Sequence, residues 1–311
     1  MSVHRYLLYL VVAGGCFAQT SQSIAITSAA SFQRGLPPKG SLGTAFCTGL
    51  HVQGISYATT YPLPVTLGGI SLTIGGAPAP ILAIADGGGY QQINFEVPQE
   101  ALPDADGSWN VTAIQSGIQI TANIEMSQSP GDFFLVGANL GAFQHATDFS
   151  LVTAENPAHA GEVVLGYLTG LPGTQPTVST GYPAPFSPLA VVPQPNTVTS
   201  VDQFAILLNG VVVANSCSVT NAACQASNIL FLGLTPGSAG VYQVNFVVPA
   251  FASAGNLSVQ LQRSACGTIS GTPCGGMGAA FIANAAPGCI PLLGGGTRSV
   301  CTGSAVPLVV R

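Results

Sequence analysis

The sequence predicts an all-β protein: two tandem antiparallel β-sandwich domains related by internal duplication. Helical periodicity is almost absent, and short runs of Val, Ile, Phe and Thr alternate with polar residues before stopping at Gly, Pro or Asn clusters. The stretch GYQQINFEVP (Gly89–Pro98) returns as GVYQVNFVVP (Gly240–Pro249). The 311 residues are long for one domain and comfortable for two.

Taken in order, the chain opens on a targeting pattern. MSVHR supplies a short basic start with Arg5, and YLLYLVVAGG is an apolar run of signal-peptide length, too short to span a bilayer. Small residues follow, so 1–18 reads as a signal peptide cleaved after Ala18. A second reading is a lipid anchor at Cys16, although Ala13 is not the Leu preferred before such a site. Strands are then expected at Ile70–Gly76, Trp109–Gly117, Ile118–Met126, Glu162–Leu168, Phe204–Gly210, Leu257–Arg263 and Ala305–Val310. The domains predicted are 24–134 and 135–311.

The repeat explains itself as a strand. Ile93, Phe95 and Val97 share one face while Gln92, Asn94 and Glu96 share the other. In the second copy Val244, Phe246 and Val248 face inward, with Gln243 and Asn245 outward. Pro98 and Pro249 stop the strand because proline cannot donate to the ladder. The expectation is that Asn94 matches Asn245 and that Phe95 and Phe246 both point into cores. Glu96 and Glu100 have no acidic counterparts in the second copy and read as solvated edge charge.

Composition excludes whole classes of partner. Charged residues make up 5%, against about 25% in an ordinary domain. Six Lys and Arg against eleven Asp and Glu leave a net charge of −5, so no basic patch is at hand for nucleic acid or anionic lipid. Of eight cysteines, six fall late in close pairs: Cys217 with Cys224, Cys266 with Cys274, Cys289 with Cys301. Metal sites prefer C-x-x-C pairs with His nearby, and these pairs lack both, so disulfide-closed loops in an oxidising compartment fit better. Each ring would contribute roughly 2–3 kcal/mol if unstrained. Cys47, in the alternating stretch GTAFCTGL, reads as a buried free thiol.

Chemistry is sparse. Asp104 and Asp106 in PDADGSWN lack the later ligands of a calcium loop and read as a β-turn with Gly107 at positive φ. His51, His145 and His159 lie at no ligand spacing, and no G-x-S-x-G elbow occurs. The glycine runs at Gly87–Gly89 and Gly294–Gly296 read as turns. The residues therefore assign no catalytic group, metal or cofactor, and the chain reads as a non-enzyme. The proline-rich arm Leu171–Asn196 carries Tyr182 and Phe186, which could stack on sugars; as a loop it would pack over a sandwich.

Several ordered motifs resemble an uncharacterised C-terminal domain family first described in Solibacter and abundant in secreted acidobacterial proteins. ITSAASFQRGLPPKGSL resembles its opening, YPLPVTLGGISLTIGGAPAPIL its Pro-Leu-Pro and Leu-Gly-Gly stretch, and QQINFEVP its Gln-Ile-Asn signature. GEVVLGYLTGL, GYPAPFSPLA and GLTPGSAGVYQVNFVVP resemble the second half. The resemblance implies an extracellular, immunoglobulin-like β-sandwich and carries no catalytic residues. The chain departs from it at the Cys217–Cys224 insertion and in the Cys266–Cys301 stretch, which interrupts the expected last hairpin. The reading is a secreted, non-enzymatic protein for cell-surface or extracellular adhesion or assembly. The alternative is a carbohydrate-binding module using Tyr182, Phe186 and Trp109; an extracellular hydrolase comes third. A protein or a glycan is the expected partner class.

Overall fold

The computed structural model describes residues 22–127, 129, 131–136, 140–193, 203–215, 227–250, 252, 254–266, 288–291 and 298–311. The expected signal peptide, with Cys16, lies outside the described residues, as do Cys217, Cys224 and Cys274. Among the described residues there is no α-helix, and none long and apolar enough to cross a membrane. The chain is all-β.

Strands in the first half are β1 (Ser23–Ser28), β2 (Leu42–Thr48), β3 (Ile55–Tyr57), β4 (Thr66–Leu67) and β5 (Ile70–Ile74). β6 (Ala77–Pro78), β7 (Ile81–Asp86), β8 (Gln91–Glu96), β9 (Trp109–Gln115) and β10 (Ile118–Ile124) follow. They form two antiparallel sheets, ordered β1-β2-β8-β7-β3 and β10-β9-β5-β4, with β6 on β5. One core joins both: Ile24, Ile26, Ala45, Cys47, Ile93 and Phe95 from the first sheet meet Ile70, Leu72, Ile74, Trp109, Val111 and Ala113 from the second. Phe95 lies opposite Gly43, and a Cβ there would stand 2.6 Å from the ring. The glycine makes room for the largest side chain of that strand.

The second half begins with β11 (Asp132–Phe133), β12 (Leu135–Val136), β13 (Leu140–Gly141), β14 (Phe143–His145) and β15 (Val163–Thr169). Next come β16 (Gln203–Leu208), β17 (Val211–Asn215), β18 (Ser227–Asn228), β19 (Phe231–Leu234) and β20 (Tyr242–Val247). β21 (Gly255–Cys266), β22 (Gly288–Pro291), β23 (Arg298–Thr302) and β24 (Val306–Val310) complete the chain. One sheet runs β11-β15-β20-β19 with β14 on β15; another runs β18-β17-β16-β21-β23-β22 with β24 on β21; β12 and β13 pair alone. A second core gathers Phe133, Phe143, Leu168, Phe204, Ile206, Val244, Phe246, Val259, Leu261 and Leu308. The first half of β21 pairs with β24 and the second half with β23.

Both repeated strands lie in the interior of a sheet. β8 lies between β2 and β7, β20 between β15 and β19, and Phe95 and Phe246 are both fully buried. Gln92 Nε2 donates to Asn94 Oδ1 at 2.9 Å, and Gln243 Nε2 to Asn245 Oδ1 at 2.8 Å. Val97 N donates to Ser41 O, and Val248 N to Glu162 O. Leu36 and Ala158 each bridge in parallel to the strand end near Met126 and Val310. Phe32 and Phe149 take φ values of 57° and 59°, each donating to the carbonyl four residues back. Thr-Gly-Leu ends both β2 and β15, which aligns Cys47 with Leu168; both are buried. A thiol at that place packs as a small apolar side chain, and burial pushes it up to about 12, so it holds its proton.

Candidate functional site

The chemistry-bearing residues singled out in the sequence scatter. Trp109 is 5% exposed within the first core, with Lys39 Nζ 5.8 Å from the ring centroid. Tyr182 and Phe186 are exposed, Phe186 at 78%, its ring over Gly237. Asp104 and Asp106 form the expected turn: Gly107 has φ +86°, and Gly107 N donates to Asp104 O. Ser108 donates twice to Asp106 Oδ1, which lowers that carboxyl's pKa. His145 Nδ1 stands 2.8 Å from Glu162 Oε1, and its Nε2 3.2 Å from Asn156 O. No group of three His, Cys, Asp or Glu able to hold a metal occurs among the described residues. Cys266, Cys289 and Cys301 are described in backbone alone, where the register sets Cys289 opposite Cys301.

What the fold assembles is a polar seam between the two cores. Thr169 Oγ1, fully buried, accepts from Leu42 N at 2.7 Å and donates to Gly240 O at 3.0 Å. Gly240 is close against Leu42; a Cβ would stand 2.4 Å from Leu42 Cδ2. Asp132, 1% exposed, accepts from Ser31 Oγ at 2.6 Å and from Ser304 N at 3.0 Å. Gln33 Nε2 reaches Ser304 Oγ at 3.0 Å. Buried polar groups are thereby satisfied across the junction, which fixes its geometry.

The proline-rich arm adds a clasp. Thr180 Oγ1 accepts from Gln99 N and donates to Glu100 Oε2; Gly181 N donates to Glu96 Oε2 at 3.0 Å; Leu63 N donates to Gly181 O at 2.8 Å. Glu96 is therefore not the solvated edge charge expected. It does point to the outer face of β8, but the arm covers that end of the face, and Glu96 is 3% exposed. Burial raises its pKa to about 7 against the Gly181 hydrogen bond, with Glu100 adding repulsion. Beside it, burial and the Glu96 charge raise the pKa of the Tyr242 phenol, which donates to Pro172 O at 3.3 Å.

Away from Glu96, the two outer rows of the first sheet are uncharged and carry aromatic rings. One cross-strand row reads Ala25, Phe46, Gln92, Ala85, Ile55; the next reads Thr27, Thr44, Asn94, Ala83, Tyr57. Phe32 and Tyr90 flank Phe46 at 6.2 and 5.6 Å between ring centroids. The tight turn at Gly87–Gly89 lays Tyr90 over Gly87, where a Cβ would collide with the ring. The face ends in a cavity of about 590 Å³, walled by the 57–63 segment, Leu42, Asn94 and, from the second half, Phe134. Nothing in the sequence singled out Tyr57, Thr59, Thr60 or Tyr61; the one visible sign is two tyrosines around Ala-Thr-Thr before a proline. Comparison of the chain with protein-family models, with curated proteins and with solved structures gives no match.

Proposed function

We propose that the chain is an exported, non-enzymatic protein of two tandem immunoglobulin-like β-sandwich domains that arose by duplication and serves adhesion or assembly at the cell surface or outside the cell, with the boundary drawn just ahead of β11, whose partner is β15, and not after residue 134. The duplication is supported by the matching Gln–Asn amide bonds at Asn94 and Asn245, the matching buried Phe95 and Phe246, and the paired φ values at Phe32 and Phe149. Export is supported by residues 1–18 and by the late paired cysteines. The observation that carries the functional reading is the outer face of the first sheet. Phe32 and Tyr90, both more than two-fifths exposed, flank the half-buried Phe46, and Ile55 and Tyr57 are exposed at the far strand of the same sheet. An exposed aromatic cluster of this kind marks a contact site. The test is expression with residues 1–18 intact, cell fractionation, and sedimentation of the recovered protein over a concentration series. We expect recovery outside the cytoplasm, with surface retention or self-association lost in the Phe32→Ser, Tyr90→Ser double variant. Cytoplasmic accumulation would refute export. A protein that is monomeric throughout and never retained would refute adhesion.

A further inference from the structure

We propose that the cavity at the junction binds a neutral saccharide, with Tyr57 and Tyr61 as stacking rings and Thr59, Thr60 and Asn94 as hydrogen-bonding groups. The proposal deepens the adhesion reading by naming a partner class, and rests on it only in that sense. At about 590 Å³ the cavity falls within the ~300–1,000 Å³ of small-molecule sites, and such sites favour junctions between packed units. Its position is set by main-chain bonds at either end of the wall: Ala58 N to Leu82 O and Leu63 N to Gly181 O, both 2.8 Å. The far side is held by Phe134, whose N–H donates to Tyr167 O at 2.9 Å. A site anchored this way needs little ordering on binding.

The lining selects the chemistry. No described residue lining the cavity carries a formal charge, so an ionic ligand would lose its hydration and meet no counter-charge in the wall. A purely apolar ligand would leave the Thr59 and Thr60 hydroxyls and the Asn94 amide desolvated and unpaired. Asn94 Oδ1 already accepts from Thr44 Oγ1 at 3.0 Å and Gln92 Nε2 at 2.9 Å. Its Nδ2 has no partner among the described residues, and the residue lines the cavity. Tyr57 and Tyr61 are 66% and 50% exposed, which leaves ring surface open at the rim. Flat rings beside hydroxyls and an amide donor match a ligand with an apolar C–H face edged by hydroxyl groups. That is a sugar ring without acidic substituents.

The test is calorimetric titration of the exported chain with cellotetraose, xylotetraose, maltotetraose and mannotetraose, with tetragalacturonate and laurate as the charged and the apolar probes. We expect at least one neutral tetrasaccharide to saturate the protein, with an affinity that salt leaves unchanged. Tyr57→Ala should weaken it about tenfold, the loss of one stacking contact, whereas Tyr57→Phe should keep it. Both positions are exposed, and a thermal melt of each variant checks the fold. Four results overturn the proposal: no binding of any neutral tetrasaccharide, binding unchanged in both Tyr57→Ala and Tyr61→Ala, preference for tetragalacturonate or laurate, or a dimer that Tyr57→Ala dissociates. Failure here leaves the adhesion reading standing, because that reading is tested by retention and association with Phe32 and Tyr90 replaced.

Discussion

Glu96 should make the protein lose stability as pH rises through neutrality, and Glu96→Gln should abolish that loss. The carboxyl sits 3% exposed at the clasp with its pKa raised to about 7 from an ordinary 4.5. Below pH 4.5 both folded and unfolded chains carry it protonated, and it costs the fold nothing. Between 4.5 and 7 the unfolded chain releases the proton while the folded chain keeps it, so the stability of the fold falls with each pH unit. Above 7 both are ionised and the full difference applies, about 3 kcal/mol at ~1.36 kcal/mol per unit. In a chain of this size that corresponds to roughly 5–10 °C in melting temperature. Gln keeps an acceptor for Gly181 N and has no charge to bury. The assay is urea unfolding of wild type and Glu96→Gln from pH 4.5 to 8, read as the difference between the two curves. Ionisable groups remote from Glu96 contribute alike to both proteins and cancel in that difference. The variant should match wild type at the acid end and exceed it by about 3 kcal/mol at pH 8. A difference that stays constant across the range would refute the reasoning.

Two further outcomes follow from the cores and the cysteines. Phe95→Ala and Phe246→Ala should each cost about 3–5 kcal/mol in denaturant unfolding, since both rings are fully buried; a cost below about 1 kcal/mol at either would show that its core is not close-packed. Non-reducing peptide mapping should recover Cys217–Cys224, Cys266–Cys274 and Cys289–Cys301, with Cys47 reduced. Directly opposed antiparallel residues lie about 4.5–5.5 Å apart at Cα, within the range a disulfide spans, and β22 and β23 oppose Cys289 to Cys301. A Cys274–Cys301 peptide, or any disulfide containing Cys47, would sink that pairing.

Strand positions were largely legible because alternation and turn residues are local. Ile70–Ile74, Trp109–Gln115, Ile118–Ile124, Val163–Thr169 and Val306–Val310 all fall within a residue or two of where the patterning places them. β21 runs longer than its alternation suggested, because its far half pairs with β23 instead of continuing the hairpin with β24. The seam was invisible for a physical reason. Half of each bond at Thr169 and one of those at Asp132 are main-chain groups, Leu42 N, Gly240 O and Ser304 N, and backbone groups leave no trace in composition. Glu96 shows the limit most sharply. Alternation placed it outward, correctly, but outward meets solvent only if nothing covers the face, and the cover comes from Gly181, 85 positions along the chain. The cavity wall at Tyr57–Tyr61 has no period to read.

The proline-rich arm connects these facts. A chain with 5% charged residues has few Lys or Glu to blunt an exposed sheet edge, and an open edge invites pairing with another chain. The free edge of β19 is instead met by residues 190–192: Val191 bridges Gly233, Val192 N donates to Leu232 O, and Leu234 N donates to Ala190 O. Further along, Gly237 N donates to Ala184 O, and Gln175 pairs back on Val191. Among residues 171–193, Pro172, Pro176, Pro183, Pro185, Pro188 and Pro193 have no N–H to offer, so pairing occurs as isolated bridges at Gln175, Ala184 and Val191 and never becomes a continuous ladder. The arm therefore covers one edge without presenting a new one. The turn between its bridges, Thr180–Gly181, is left to reach the first core and close over Glu96. One segment thus protects β19, fixes the junction and sets one end of the cavity wall through Leu63.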